Sequence, residues 1–219
     1  MPGTAIFDLD KTITQRGTWS RFVRFAVNDD ARFWRGLPAV GATALAYKLK
    51  LTTRGAVKEK AIDVFLAGQH KDALGEQADA FVAREIETGL RPGALTVIDA
   101  HKRSGDRLII ASAAVDLIVS RMANALGFDE IICTRLSWDG AGRLASKLNG
   151  ENCYGAEKLR RVSELAGDHG FDTPTMFYSD HVTDLPCLLW ADRGVAVNPH
   201  PPLRKAAIAH QLEIADWDG

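Results

Sequence analysis

Short apolar runs alternate along the chain with longer stretches whose apolar residues recur every three or four positions. "TAIF" leads into Asp8, "RLIIAS" spans 107–112, "EIICT" 130–134, "TMFYS" 175–179 and "GVAV" 194–197. Compact apolar runs of this kind predict strands buried on both faces. Between them lie helix-like stretches near 94–103, 115–126, 156–166, 185–191 and 202–210. Strands alternating with helices predict an α/β fold, a mostly parallel sheet with helices on both faces. Ligands bind such sheets at the carboxyl ends of the strands.

One region breaks the alternation. Residues 15–91 contain no convincing strand and four helical stretches, about 18–27, 30–48, 54–67 and 70–88. "RPGA" at 91–94 is a turn followed by a helix start, and the alternation resumes after it. The chain therefore reads as a core of residues 1–14 and 92–219 carrying an inserted, all-helical cap of residues 15–91. "LSWDGAGRL", 136–144, predicts a β-hairpin around Asp139-Gly140.

Composition narrows the class. Lys and Arg number 27 against 28 for Asp and Glu, which gives no reason to expect nucleic acid as a partner. Cys133, Cys153 and Cys187 are too scattered for a disulfide framework or a zinc cluster, so reduced thiols are expected. Asp8 and Asp10 interrupt the N-terminus before a signal-peptide core could form. The uncharged run at 36–47 falls short of the roughly 20 residues of a membrane span. A cytoplasmic protein with no transmembrane segment is the expectation; the oligomeric state is left open.

Four groups fall at predicted strand ends or helix starts. Asp8 and Asp10 follow the first strand, Ser112 ends the second, Lys158 opens a helix, and Asp180 and Asp184 follow the "TMFYS" strand. A parallel sheet brings all of them to one edge. The chemistry they suggest is phosphoryl transfer to a carboxylate. Asp8 would attack phosphorus and form an aspartyl-phosphate. Mg²⁺ would offset the charge, held by Asp8, Asp180 and the backbone carbonyl of Asp10. Asp10 would protonate the leaving oxygen and then activate water. Lys158 would neutralise charge, Ser112 would donate to a phosphoryl oxygen, and Asp184 would orient Lys158 or a metal-bound water.

"DLDKT", "ASAA", the lysine of "GAEK" and "SDHVTD" resemble, in order, the four signature motifs of the haloacid-dehalogenase superfamily. The insertion after the first motif is similar to its phosphoserine-phosphatase-like subclass with a helical cap. The resemblance covers essentially the whole chain. It implies a Rossmann-like core and Mg²⁺ as cofactor, with Thr12 and Ala113 beside the motif residues as further phosphate contacts. A receiver-type signalling domain lacks such an insertion, and a dehalogenase does not require Asp10. A phosphorylation-dependent regulator without turnover is the non-enzyme alternative.

The substrate is less legible. Phosphoserine phosphatases carry a glutamate soon after the first motif, but no acidic residue occurs here from Thr12 through Asn28. Arg16, Arg21 and Arg24 stand there instead and suggest a second negative charge on the substrate. His181 and Thr183 depart from the family pattern in the last motif and are candidate substrate contacts. Trp19, Phe22, Phe25, Phe33 and Trp34 read as cap packing or as an apolar surface for a lipid or bilayer interface. The expectation is a small anionic phosphorylated metabolite or a phospholipid head group. Phosphoserine and a phosphatidylglycerophosphate-type lipid are the alternatives.

Overall fold

The computed structural model describes residues 2–218. Strand β1 (Thr4–Phe7) is followed by a tight turn at Leu9–Ile13, and then by α1 (Thr18–Ala26), α2 (Asp30–Lys48), α3 (Arg54–Phe65) and α4 (Lys71–Thr88). Next come α5 (Pro92–Ser104), β2 (Arg107–Val115), α6 (Asp116–Leu126) and β3 (Glu130–Thr134). A hairpin of β4 (Leu136–Trp138) and β5 (Leu144–Leu148) precedes α7 (Ala156–His169) and β6 (Thr175–Ser179). The chain closes with α8 (Leu185–Trp190), β7 (Arg193–Val197), α9 (Pro201–Ala209) and β8 (Glu213–Ala215).

The main sheet has the order β3-β2-β1-β6-β7-β8, with every pair parallel. It is the Rossmann-like α/β sheet that the alternation predicts. Alternate residues of β1 serve opposite faces. Ala5 and Phe7 join one apolar cluster, and Ile6 joins the other with Ile109 and Phe177. Phe7 stacks on Tyr178 at 4.6 Å and meets Phe128 edge-on at 5.5 Å. The register places the polar strand ends. Phe7 lies beside Ile110 and Tyr178, so Asp8, Ser112 and Asp180 leave the sheet at one edge.

The four helices between β1 and α5 match the expected positions within a few residues. Buried residues of α3 (Lys58, Ala61, Ile62, Phe65) and of α4 (Leu74, Ala78, Phe81, Val82, Glu85) recur at helical spacing. Asp29 caps α2 by accepting from the Arg32 N–H, and Thr53 caps α3 by accepting from the Ala56 N–H. Two antiparallel segments join these helices to the sheet. The Gln15 N–H donates to Gly89 (2.8 Å) and the Arg91 N–H to Ile13 (2.9 Å). Arg91 also donates through Nε to the Lys11 carbonyl at 3.0 Å, and the Gly93 N–H donates to Trp217 at 2.9 Å. A Cβ at Gly93 would stand 2.7 Å from Trp217, so only glycine permits this approach. The turn at Arg91–Gly93 is thus pinned to the sheet side.

Four local features differ from the sequence reading. Strand β2 runs past Ser112 to Val115, with its register to β3 broken between those residues. The hairpin turn takes five residues, and Asp139 Oδ1 accepts the N–H groups of Ala141 and Arg143. Strand β8 has no counterpart in the pattern, because three half-exposed residues carry no periodic signal. The aromatic residues of 15–91 split: Phe22 is buried, Phe33 stacks on Phe65 at 5.3 Å, and Trp34 is 64% exposed.

Candidate active site

Asp8 is the first residue beyond β1 and is buried. Its Oδ1 accepts from Lys158 Nζ at 2.8 Å and its Oδ2 from Thr12 Oγ1 at 3.3 Å. Lys158 reaches it from the first turn of α7, where Gly155 at φ 60° supplies the backbone turn that a side chain would strain. The ammonium also donates to Asp184 Oδ2 at 2.6 Å, and that oxygen accepts from Ser179 Oγ at 2.8 Å. Asp184 Oδ1 is buried and has no partner among the described residues. Asp180 sits beside this group. Its N–H donates to Thr12 Oγ1 at 3.0 Å, and its carbonyl accepts from the N–H (3.2 Å) and Nδ1 (3.0 Å) of His200.

Asp8 and Asp184 share the Lys158 ammonium with Asp180 close by, and the protonation balance shows it. Burial raises Asp8 to about 7, against the pull of Lys158, and the charges of Asp184 and Asp180 push it the same way. Burial raises Asp180 to about 6. Burial works against the Lys158 ammonium, but Asp184 and Asp8 outweigh it and hold the lysine above its ordinary value. Lys158 alone does not offset the charge of these buried carboxylates.

Asp10 occupies the same turn, where Lys11 at φ 66° bends the chain. Its Oδ1 accepts from the N–H and the hydroxyl of Thr18, each at 2.7 Å. Thr18 opens α1, so Asp10 caps that helix from eight residues upstream. Ser112 Oγ accepts from the Ala114 N–H at 3.1 Å. Its own proton has no acceptor among the described residues. Asp8, Asp10, Ser112, Ala113, Lys158, Asp180 and Asp184 border a cavity of about 280 Å³, together with His181 and Thr183. His181 stacks on His200 at 4.2 Å, and its Nδ1 meets Thr183 Oγ1 at 2.8 Å. Burial, then His200, lowers His181 to about 4, so it stays neutral near pH 7.

Four expected contacts lie elsewhere. Thr12 is fully buried, and its hydroxyl ties Asp8 to the Asp180 loop, so it supports the site from behind rather than bordering the cavity. Arg21 pairs with the buried Glu85, and Arg24 with Asp30. With Arg16 they border a separate cavity between α1 and α4 that contains none of the site's carboxylates. The acidic partners come from outside the window in which acids were missing. Arg54, Lys11 and Tyr154 line the catalytic cavity instead, and Arg54 lies over the Tyr154 ring at 4.2 Å. Lys58 extends from α3 to the Ala113 carbonyl and to Asn152 Oδ1 (2.7 Å). Its sequence signal is a lysine on an otherwise apolar stripe; Arg54 and Tyr154 carry no comparable signal.

The donor set suits Mg²⁺. Among the described residues no three His, Cys, Asp or Glu side chains converge as a complete metal cage. Asp8, Asp180 and the Asp10 carbonyl would supply a partial oxygen set, the kind that leaves places for water and phosphate oxygens. The unpartnered Asp184 Oδ1 would accept from a metal-bound water, and a cation would relieve the carboxylate excess.

A family model for haloacid dehalogenase-like hydrolases matches residues 5–189. The chain belongs to that family of hydrolases. The protein CicA of Caulobacter vibrioides (strain NA1000 / CB15N) is 31% identical over 166 residues, spanning 76% of this chain and 73% of CicA. A histidinol-phosphatase of Neisseria meningitidis serogroup C (strain 8013) is 26% identical over 219 residues, spanning 94% of this chain and 95% of that protein. A Bordetella pertussis Tohama I protein of unknown function superposes with a TM-score of 0.87 at 24% identity, over 99% of both chains. A substrate-bound phosphoserine phosphatase gives 0.69 at 17% identity, over 100% of this chain and 94% of that one. These structural likenesses speak for the fold alone.

Proposed function

We propose that the protein hydrolyses a small anionic phosphomonoester through an aspartyl-phosphate on Asp8, with Mg²⁺ held by Asp8, Asp180 and the Asp10 carbonyl. The supporting observation is the buried chain Asp8–Lys158–Asp184 with Asp10 on the adjoining turn. An Asp8 carboxylate oxygen bonds to phosphorus as the ester oxygen leaves, and Asp10 gives that oxygen a proton. Asp10, now ionised, takes a proton from water as the water oxygen attacks the aspartyl-phosphate. Inorganic phosphate departs and Asp8 is regenerated. Lys158 holds Asp8 in place and offsets charge throughout, and the Ser112 hydroxyl donates to a phosphoryl oxygen. Mg²⁺, when bound, supplies the remaining positive charge against which a carboxylate can approach a phosphate.

Residues 15–91 serve in this reading as a cap that excludes water during transfer. The histidinol-phosphatase similar over nearly its whole length supports a phosphorylated small alcohol as substrate. The exposed side chains Trp34 and Leu45 of α2 and Leu49 just after it, close in the chain to Arg35 and Lys48, support the lipid-surface alternative. No helix among the described residues is long and apolar enough to cross a membrane, so that alternative requires peripheral binding to anionic vesicles. Asp8→Asn tests the main reading. It should fold like the parent and lose phosphate release from p-nitrophenyl phosphate by at least about a thousandfold. Turnover within tenfold of the parent would remove Asp8 as nucleophile.

A further inference from the structure

Beside the catalytic cavity lies a second compartment of about 310 Å³. Trp19, Tyr47, Val57 and Lys58 wall it, and it shares Asp10, Gly17, Arg54 and Ala113 with the catalytic cavity. Asp10 therefore stands at the boundary between the two. In the proposed reaction Asp10 protonates the leaving oxygen, so whatever that oxygen carries extends toward this compartment.

We infer that the compartment receives the leaving group, and that this group is flat and largely apolar and carries an oxygen acceptor, a carboxylate above all, for Lys58. The inference rests on the role of Asp10 proposed above. The first support is the walls: two aromatic rings and a valine favour an apolar body with planar faces. The second is Lys58 itself. It is buried on the apolar stripe of α3, and its two acceptors, the Ala113 carbonyl and Asn152 Oδ1, are both neutral. An ammonium has three N–H donors, so one remains for a ligand. The ammonium also lies 5.9 Å from the centre of the Trp19 ring, so a ring held there comes within its reach.

The third support is a contrast within the same four helices. Glu85 occupies the corresponding kind of position, a charge on the apolar stripe of α4, and it has its counter-ion in Arg21. Lys58 makes no ion pair with a carboxylate among the described residues; Arg54, at the junction of the two cavities, makes none either but is exposed. Buried charges are ordinarily paired, so an unpaired one bordering a cavity marks a place for an anion. Asp10 is the only carboxylate among the residues bordering the compartment, and Thr18 already occupies one of its oxygens. A leaving group with an ammonium at its far end would meet two cations there.

Non-hydrolysable phosphonates test this without turnover. Calorimetric affinities are measured with Mg²⁺ for ethyl-, benzyl-, 4-carboxybenzyl- and 4-(aminomethyl)benzylphosphonate. Benzyl should bind about tenfold tighter than ethyl, through burial against Trp19 and Tyr47. The carboxyl group should add about tenfold more, through one charge-assisted hydrogen bond. The aminomethyl compound should bind more weakly than benzyl. Lys58→Met should abolish the carboxyl advantage and keep the preference for benzyl over ethyl; Trp19→Leu should shrink that preference. Because each readout is a ratio, a general effect of either substitution on phosphonate binding cancels. Should Lys58→Met not fold, the parent series and Trp19→Leu still decide. A flat series, an ammonium preference, or a carboxyl advantage that survives Lys58→Met overturns the inference. The reaction itself is judged separately: Asp8-dependent turnover with a flat series sinks only the leaving-group assignment. Turnover that ignores Asp8→Asn sinks the reaction reading instead.

Discussion

Two lysines, both buried, sit in opposite electrostatic situations. Lys158 holds two carboxylates, and Lys58 holds none. Removing Lys158 leaves Asp8 and Asp184 facing each other unpaired. Lys158→Met should therefore lower stability by about 3–5 kcal/mol, read from urea midpoints at pH 7. Burial lowers Lys58 from 10.5 to about 8, a penalty on the order of 3 kcal/mol while it stays charged. That penalty is fully present below pH 8 and is relieved as pH rises toward 10.5, where the unfolded chain still holds the proton. Lys58→Met should accordingly match or exceed the parent at pH 7, and its advantage should shrink between pH 8 and 10.5. A midpoint that falls as far as for Lys158→Met would contradict the assignment. Asp8 and Asp180, raised to about 7 and about 6, work the other way with pH. Their native forms retain protons that the unfolded chain has released, so metal-free stability falls as pH climbs from about 4 through 7. In the proposed reaction Mg²⁺ is held by the ionised pair. Its addition should raise Tm more at pH 8 than at pH 5, and an equal shift at both would argue against these ligands.

Among the elements, the turn after β1 joins the chemistry to the helices above it. Asp10 holds α1 by its first N–H and by the Thr18 hydroxyl, so the proposed acid–base group is also a helix cap. Thr18→Val keeps the shape and the backbone bond but removes the hydroxyl. It should cost about 1 kcal/mol of stability. Freeing one side of Asp10 should also lower kcat about tenfold with little change in KM, because the carboxylate is oriented for proton transfer rather than for binding. A change in KM alone would assign Thr18 to substrate binding. The lysine of α3 and the glutamate of α4 show a second property at this scale. Each lies in register with apolar residues, so an amphipathic helix carries one charged side chain inward at a position set by its period.

For the molecule as a whole, the connection between sheet and inserted helices sets where motion can occur. Arg91 and Gly93 are tied to Lys11 and Trp217, whereas Gly17 lies just beyond the paired segments and Gly89 closes them through a single backbone bond from Gln15. Cap opening should bend the chain at Gln15–Gly17 and Thr88–Gly89 and leave Arg91–Gly93 still. With Mg²⁺ and beryllium fluoride as a phosphate analogue, amide exchange should slow in the first two segments and stay unchanged in the third. Slowing at Arg91–Gly93, or in none of the three, would rule out this hinge. Trp34 and Leu45 of α2 and the following Leu49 are exposed and take no part in the catalytic cavity.

The sequence by itself determined the sheet strands β1, β2, β3, β6 and β7, the four inserted helices and the residues that reach the common edge. Apolar runs and helical periods are local, and a parallel sheet brings its strand ends together whatever the loops do. What only the tertiary structure decided are pairings across long stretches of chain. Arg21 finds Glu85, 64 residues on, and so leaves the substrate reading. Lys58 meets Asn152 across 94 residues, and Thr12 meets Asp180 across 168. No periodicity encodes such partners, because a side chain's charge says that it needs a counterpart but not where the fold will bring one. The absence of acids between Thr12 and Asn28 was a fact about neighbours in the chain; the environment of those arginines was a fact about neighbours in space.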